Sequence, residues 1–243
     1  MAPVREALLA AQFALNTKPT FDPNSAVATC RIAMTDYGLF VLLPRLLQRL
    51  AADAPLMHCA VEPLAIDSFD RLAMGDLDFC LTADDLKLYG THRPDKHIIS
   101  RQMFRDDFVC VVDPDKVDIT NGISLSTYRR LRHNSVVFGD GISTIVEKGW
   151  ARSSFDYNVA VTAPNFAALI FMIPGTPLVA TAQRRLANAL APRLGLAVVE
   201  CPLSLPKLQE NLMWHERSEH DPAHKYLREQ LEMAVRDIDT DAS

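Results

Sequence analysis

The sequence has few of the features that mark a metalloprotein, a secreted protein or a membrane protein. It contains five cysteines but no C-x-x-C spacing, so neither a zinc knuckle nor that type of redox pair is predicted. Its longest apolar run, residues 166–173, is far too short to cross a bilayer. No apolar segment with a small-residue cleavage site stands at the N-terminus. We therefore expect a cytoplasmic protein whose cysteines are small core residues in a reducing compartment.

Familiar catalytic motifs are missing as well. The sequence has no G-x-S-x-G, H-E-x-x-H or G-x-x-x-x-G-K-[ST] segment, and the glycines at residues 139–141 do not extend to a dinucleotide fingerprint. We expect no metal and no cofactor, and a protein that is not an enzyme. A formal charge of −5 and a pI near 5.8 argue against direct DNA binding by this segment, since DNA binding needs clustered Lys and Arg.

What the sequence does contain is a regular alternation of apolar segments, which predicts parallel sheets covered by helices. The segment 98–112 is too long for one strand in one sheet, and residues 202–206 form a proline-pinned connection. We interpret these two places as crossings between two Rossmann-like lobes. The predicted fold is therefore α/β, with residues 21–100 plus 206–243 in subdomain I and residues 101–205 in subdomain II.

The N-terminal residues have a different pattern. Leu8, Ala11 and Leu15 have the spacing of one face of an amphipathic helix. A proline-bounded break at residues 18–23 separates this helix from the α/β part. Because the helix begins almost at the first residue and has no core of its own, we interpret residues 1–18 as the end of a longer linker helix in a multidomain protein.

Three predicted strand ends carry side chains that suit ligand contact, because ligands of such folds lie outside the carboxyl ends of the strands. Thr35 and Asp36 open a helix, where they serve either a ligand or plain helix capping. The glycines within residues 139–144 allow a nest of N–H groups or simply a turn. Trp214 and His215 end the last predicted strand; ligand stacking or proton transfer is the functional interpretation, and core packing is the commoner role.

Five segments share an order and spacing that is fairly specific. They are AMTDYGLFVLLPRLL at 33–47, LAMGDLDF at 72–79, LVATAQRRLA at 178–187, WHER at 214–217 and DPAHKYLR at 221–228. Together they resemble the C-terminal effector-binding part of LysR-type transcriptional regulators, and the resemblance covers residues 1 to about 238. The MTD and NLMWH segments resemble the branch that contains nodulation regulators and regulators of naphthalene, nitrotoluene and chloroaromatic breakdown.

The resemblance implies a type 2 periplasmic-binding-protein fold, with two subdomains that bind a small inducer between them. The implied inducer is aromatic, phenolic or chlorinated, and the implied protein is an activator that controls transcription of catabolic genes as a homodimer or homotetramer. A winged helix-turn-helix domain, which is absent from this chain, would precede the linker helix and bind promoter DNA. RNA polymerase is a further expected partner, and no membrane contact is expected.

Carried over position by position, the resemblance implies an inducer pocket at the strand ends of both lobes. Its expected residues are Thr35, Asp36, Thr82, Ala83, Gly139, Asp140, Ser143, Asn165, Phe166, Thr181, Trp214 and His215. Naphthalene-type regulators commonly have histidines in the loop where residues 141–143 stand here, and this departure disfavours a salicylate-like inducer. A second departure is Gln183, which occupies a position where the family commonly has proline.

Two other functions are compatible with the same fold. A solute-binding protein of a transporter would share both lobes, but the missing signal peptide and the N-terminal helix argue against it. An enzyme acting on a small acid would need an acid–base pair across the cleft. Asp36 or Asp140 together with His215 is the only candidate pairing for such an enzyme.

Overall fold

The computed structural model describes residues 21–83, 96–137, 144–153 and 157–241. In chain order, its strands are β1 (Thr29–Met34), β2 (His58–Pro63), β3 (Phe79–Ala83), β4 (Ile98–Asp106), β5 (Phe108–Val112), β6 (Arg132–Val136), β7 (Asn158–Ala163), β8 (Leu178–Gln183), β9 (Ala197–Glu200) and β10 (Leu208–His215). The α-helices are α1 (Asp36–Val41), α2 (Leu43–Asp53), α3 (Ser68–Met74), α4 (Leu125–Arg130), α5 (Ile145–Arg152), α6 (Phe166–Phe171), α7 (Arg184–Leu190) and α8 (Pro222–Asp241).

The first sheet has the strand order β2-β1-β3-β10-β4, and we call it and its helices the first lobe. β1 is parallel to β2 and β3, so the carboxyl ends of these strands, at Met34, Pro63 and Ala83, lie at one edge of the sheet. β10 is antiparallel to β3. Its last residues therefore lie at the opposite edge.

The second sheet has the strand order β7-β6-β8-β5-β9, and we call it and its helices the second lobe. β6 is parallel to β7 and β8, whereas β5 is antiparallel to β8 and β9. The carboxyl ends of β6 and β7, at Val136 and Ala163, therefore share one edge. Both sheets carry helices, as the alternation of segments predicts. They are mixed and not all-parallel, because β10 in the first sheet and β5 in the second run antiparallel to their neighbours.

The chain changes sheet at Asp107, which separates β4 from β5. β4 pairs with β10 from Ile98 to Asp106, so residues 101–106 lie in the first lobe and not beyond the boundary expected after residue 100. The physical reason is the pairing of β4 with β10, because backbone hydrogen bonds along the whole of β4 hold it in the first sheet up to its last residue. The return crossing occupies residues 201–207, between β9 and β10.

Local sequence explains where the helices at the edge of the first lobe begin and how they pack. Pro44 stands in the first turn of α2, where its missing N–H costs no hydrogen bond. Leu46 and Leu50, one helical turn apart, are buried on the same face of α2. The Nε atom of Arg49 donates to Oε1 of Gln230 at 2.9 Å, which joins α2 to α8.

The cores of the two lobes meet in one cluster of buried apolar side chains that includes Ile32 and Tyr37 in the first lobe and Val111 and Ile170 in the second. Such a cluster supplies most of the free energy that favours folding, because burial removes apolar surface from water. Within the described part of the chain, we find no helix with the length and apolar character needed to cross a membrane.

Candidate functional site

A cavity of about 600 Å³ opens where the strand ends of the two lobes face each other. The ends of β1 and β2 supply its walls in the first lobe, and the residues after β6 and β7 supply them in the second. Its described lining residues are Met34, Thr35, Asp36, Leu39, Val61, Glu62, Pro63, Leu64, Ala65, Ile66, Val137, Pro164 and Asn165. This is the crevice outside the carboxyl ends of parallel strands, where α/β folds bind ligands.

The wall of the cavity is mainly apolar, with polar groups at a few points. Thr35, Asp36, Glu62 and Asn165 supply the polar side chains, and aliphatic side chains or proline rings cover most of the remainder. Among the lining residues that the structure describes there is no Lys, Arg or His. An apolar wall with a few placed polar groups is typical of a site for a small organic molecule.

Asp36 joins the two lobes across this cavity. Its Oδ1 accepts a hydrogen bond from the backbone N–H of Phe166 at 3.1 Å, and its Oδ2 accepts from the N–H of Ala167 at 2.7 Å. These donors belong to the first turn of α6 in the second lobe. The carboxylate charge is therefore stabilised by N–H groups that α6 cannot satisfy itself.

Thr35 and Asn165 occupy helix N-cap positions on opposite sides of the cavity. The side chain of Asn165 accepts from the N–H of Ala168 at 2.9 Å and so caps α6. Thr35 precedes α1, but its side chain makes no capping hydrogen bond. Plain capping therefore accounts for Asn165 and does not account for Thr35 or Asp36.

Glu62 carries a second carboxylate to the wall, and Arg71 pairs with it. The Nη2 atom of Arg71 donates to Oε2 of Glu62 at 3.0 Å, and Nη1 of the same guanidinium contacts Oε1. The negative charge of Glu62 is therefore already compensated within the first lobe. An incoming anion would find both carboxylates in the cavity wall and no uncompensated cation among the described lining residues.

A buried carboxylate, Asp106, also joins the lobes, at the crossing. Its Oδ2 accepts from the hydroxyl of Tyr37 at 2.7 Å and from the N–H of Arg185 at 3.0 Å. Tyr37 belongs to α1 and Arg185 to α7, so this contact spans both lobes. Burial raises the pKa of Asp106, while the hydrogen bond from Tyr37 acts in the opposite direction.

Glu210, which lies opposite Ala83 on β10, was not among the site residues expected from the sequence. Glu210 is only 3% exposed, and its Oε2 has no hydrogen-bond partner among the described residues. Burial, followed by the charge of Asp106, raises the pKa of Glu210 to about 8. A glutamate inside the apolar strand segment LQENLMW was the available signal.

Thr181 and Phe166 lie beside a separate void of about 10 Å³ in the second lobe. The indole Nε1 of Trp150 donates to the hydroxyl of Tyr128 at 2.9 Å. That hydroxyl lies 2.8 Å from Oγ1 of Thr181. Thr181 is thereby part of a buried polar network.

Within the described ranges, no group of three or more His, Cys, Asp or Glu side chains has the geometry to hold a metal ion.

Residues 24–236 match the family model of the LysR substrate-binding domain. The chain belongs to the LysR family of transcriptional regulators. It is 28% identical to nodulation protein D 2 of Rhizobium leguminosarum bv. phaseoli, across 94% of this chain and 70% of that protein. It is 30% identical to the HTH-type transcriptional activator NagR of a Ralstonia species, across 93% of this chain and 73% of NagR.

The solved structures agree with this assignment. A structure described as a probable transcriptional regulator from Pseudomonas aeruginosa is 31% identical, with a TM-score of 0.78, across 95% of this chain and 75% of that one. The family resemblance and the two-sheet fold of periplasmic-binding-protein type predicted from the sequence are thereby confirmed. Members of this family regulate transcription and are not enzymes.

In this LysR-type domain, the segment 72–79, one of the five that resemble the family, has a clear structural role. Gly75 ends α3 with a φ of 92°, a left-handed conformation that favours glycine. Three residues later, Oδ2 of Asp78 accepts from the N–H of Arg31 at 2.7 Å. Its Oδ1 lies 3.1 Å from Nε2 of His224 on α8. The segment 72–79 thus turns the chain and fastens β1 to the last helix.

The structure brings some of the expected pocket residues together and leaves others apart. Thr35, Asp36 and Asn165 line the cavity, and Ala83 with the fully buried Thr82 ends a strand at the same edge of the first sheet. Three further expected residues, Gly139, Asp140 and Ser143, lie outside the described residues.

Trp214 and His215 lie at the opposite edge of the first sheet, because β10 is antiparallel to β3. The Trp214 indole is fully buried, and its Nε1 donates to Oε2 of Glu219 at 2.6 Å. His215 accepts from the N–H of Arg217 at 3.1 Å, and its ring stacks on His97 with a centroid distance of 5.9 Å. Both residues therefore have structural partners here. The antiparallel direction of one strand also separates His215 from Asp36, its candidate acid–base partner.

Proposed function

We propose that this chain is the effector-sensing part of a LysR-type activator of catabolic genes. An aromatic, phenolic or chlorinated small molecule binds between the two lobes and controls transcription. The observation that carries the proposal is the cavity of about 600 Å³, whose walls come from both lobes. A site formed by two bodies allows its occupant to change how those bodies sit together.

The chemistry of the cavity supports an uncharged aromatic molecule in particular. Leu39, Val61 and Ile66 offer the apolar contact that a ring needs. The hydroxyl of Thr35 and the outer lone pairs of Glu62 suit a phenolic hydroxyl, which can both donate and accept. A carboxylate would meet Asp36 and Glu62, so a benzoate should bind more weakly than the matching phenol.

Control of transcription follows from differential binding. An effector shifts the equilibrium between two lobe arrangements only if it binds one of them more tightly. Asp36 and the first turn of α6 form hydrogen bonds across the cleft, so a molecule beside them senses the distance between the lobes. The effector therefore stabilises the arrangement in which its contacts to both walls are made.

The same proposal includes the partners of a LysR-type regulator in the cytoplasm. The small-molecule inducer contacts this chain, and the chain assembles as a homodimer or homotetramer. Promoter DNA is bound by a winged helix-turn-helix domain that this chain does not contain, and RNA polymerase is contacted by the DNA-bound assembly.

Thermal unfolding in the presence of matched phenols, chlorophenols and benzoates tests the proposal. A phenol at 100 times its Kd should stabilise the fold by about 2.7 kcal/mol, which raises Tm by about 5–10 °C. Ile66→Trp should fill the cavity and abolish this shift. Leu125→Trp is the matched control, since Leu125 is a comparably exposed aliphatic residue outside the cavity.

Each result of the thermal-unfolding experiment has a different meaning. A shift that persists in Ile66→Trp would place the ligand elsewhere, and a shift lost in Leu125→Trp would mean that the effect is unspecific. If no aromatic compound binds to the purified chain, the proposed ligand class is wrong. The family assignment does not depend on that result.

A further inference from the structure

Cys30 and Cys59 stand opposite each other on neighbouring strands of the first sheet. They are partners in the parallel ladder between β1 and β2. Neighbouring strands lie about 4.7–4.9 Å apart, and a disulfide requires Cα atoms about 4.4–6.8 Å apart. Because the two residues are in register, their side chains also leave the sheet on the same face. The backbone therefore already has the separation of a disulfide.

The two thiols are in contact and differ in accessibility. A hydrogen bond from the Cys30 thiol lowers the pKa of Cys59, whereas the same contact and burial raise the pKa of Cys30 well above its usual value. Cys30 is fully buried and Cys59 is half-buried on the edge strand. A half-buried thiol whose pKa is lowered thus lies beside a fully buried one, the arrangement that favours oxidation at the first and disulfide closure by the second.

We propose that Cys30 and Cys59 form a redox-active pair that closes to an intramolecular disulfide when a hydroperoxide reaches Cys59. The Cys59 thiolate attacks one peroxide oxygen, which forms a sulfenic acid and releases hydroxide. The hydroxide takes the proton of Cys30, whose sulfur then attacks the sulfur of Cys59 and displaces a second hydroxide. This hydroxide becomes water by taking up the proton that Cys59 released when it ionised. Two thiols and one hydrogen peroxide give one disulfide and two waters, and the sulfurs lose two electrons to the peroxide.

The position of the pair connects it with the cavity. β1 leads from Cys30 to Met34 and Thr35, and β2 leads from Cys59 to Glu62 and on into the lining segment 63–66. A covalent bond between these strands would hold together the two segments that form the wall of the first lobe. Oxidation is therefore expected to alter that wall without occupying it.

The other cysteines provide internal comparisons. The thiols of Cys110 and Cys201 also interact. Cys110, however, stands opposite Val199, two positions before Cys201. Such diagonal neighbours lie about 7–8 Å apart, beyond the usual span of a disulfide. Cys80 is buried and hydrogen-bonds the carbonyl oxygen of Ser68, and burial raises its pKa to about 12. Cys80 is therefore the expected unreactive thiol.

Graded oxidation of the purified, folded chain with hydrogen peroxide tests the proposal. After alkylation of the remaining thiols in denaturant, non-reducing digestion and mass spectrometry should find one peptide pair linking Cys30 to Cys59, lighter by two hydrogens. Dithiothreitol should reverse the link. Cys80→Ser should leave it unchanged, whereas Cys59→Ser should abolish it and leave Cys30 alkylatable.

Three results would overturn the proposal. Both thiols could remain fully alkylatable at peroxide levels that oxidise a free cysteine in solution, Cys59 could stop at irreversible oxygen adducts, or the link could join Cys110 to Cys201 instead. Since Cys59→Ser could disturb the edge strand, Cys59→Ala with an unchanged circular dichroism spectrum is the second variant. The assay needs no effector, so its failure is independent of the proposed ligand.

Discussion

The two edges of the first sheet both carry side chains that suit ligand contact, but the structure uses them in different ways. At the carboxyl edge of the parallel strands, Thr35 makes no capping hydrogen bond and Asp36 reaches across to the other lobe. At the opposite edge, Trp214 and His215 bond to residues that follow them closely in the chain. Residues that bond locally stabilise one lobe, whereas residues that face the second lobe can respond to what lies between.

Trp214 marks the edge that serves stability. The guanidinium groups of Arg101 and Arg228 lie 5.4 and 4.9 Å from the ring centroid of the fully buried indole. Trp214→Ala should lower the free energy of unfolding by about 3–5 kcal/mol, because it leaves a cavity and removes the hydrogen bond to Glu219. Urea unfolding measures this loss, with Trp214→Phe as the milder control. A stable Trp214→Ala variant that no longer binds effector would reverse our comparison of the edges.

Glu210 lies opposite Ala83, near the carboxyl edge of the parallel strands, and it tests that edge through the pH dependence of stability. Its folded pKa of about 8 lies above the ordinary value of 4.5, so the folded state holds a proton that the unfolded state releases. The stabilisation that this group contributes to the folded state is complete below pH 4.5. It is lost as the pH rises towards 8, by at most about 1.4 kcal/mol per pH unit. Glu210→Gln lacks this pH dependence. The free energy of unfolding of Glu210→Gln, relative to that of the parent, should therefore be about 2–3 kcal/mol higher at pH 8 than at pH 6.

Chemical denaturation at pH 6 and pH 8 measures the effect. Glu229→Gln is the control, because it removes an exposed carboxylate from α8. Equal pH dependence in the parent and in Glu210→Gln would show that Glu210 reaches water or a partner in solution.

Asp36 should have a smaller effect on stability and a direct effect on the cleft. Asp36→Ala removes two charge-assisted hydrogen bonds to the first turn of α6 and should cost about 1–3 kcal/mol. The variant should also show a larger radius of gyration in X-ray scattering if the lobes part. Asp115→Ala, an exposed carboxylate far from the cleft, should change neither measurement.

His215 should show the smallest effect. Its half-buried imidazole stacks on His97, which pairs with Glu216 at 2.6 Å, and the side chains of His97 and Glu216 are about half exposed. His215→Ala should cost less than about 1 kcal/mol in thermal or chemical unfolding. It should leave effector binding unchanged, and a loss of binding without a loss of stability would contradict the comparison of the two edges.

The sequence was informative wherever the signal was local. The segment around Met34, Thr35 and Asp36 identifies a strand, a turn and a helix start from neighbouring residues alone, and the structure places that turn at the cavity. The length of segment 98–112 indicated a crossing, but its position at Asp107 depends on pairing with β10. Because β10 lies more than 100 residues later in the chain, the residues around Asp107 do not by themselves show where this pairing ends.

The sequence by itself determined the family, the two-lobed α/β fold and the wall segments that follow the parallel strands. These properties depend on short apolar runs, turns and helix starts, which act over a few residues. Only the tertiary structure decided that β10 carries Trp214 and His215 away from the cavity, that Asp36 bonds to α6, and that Cys30 meets Cys59. Strand direction and register result from hydrogen bonds and burial between distant segments, and no single segment contains that information.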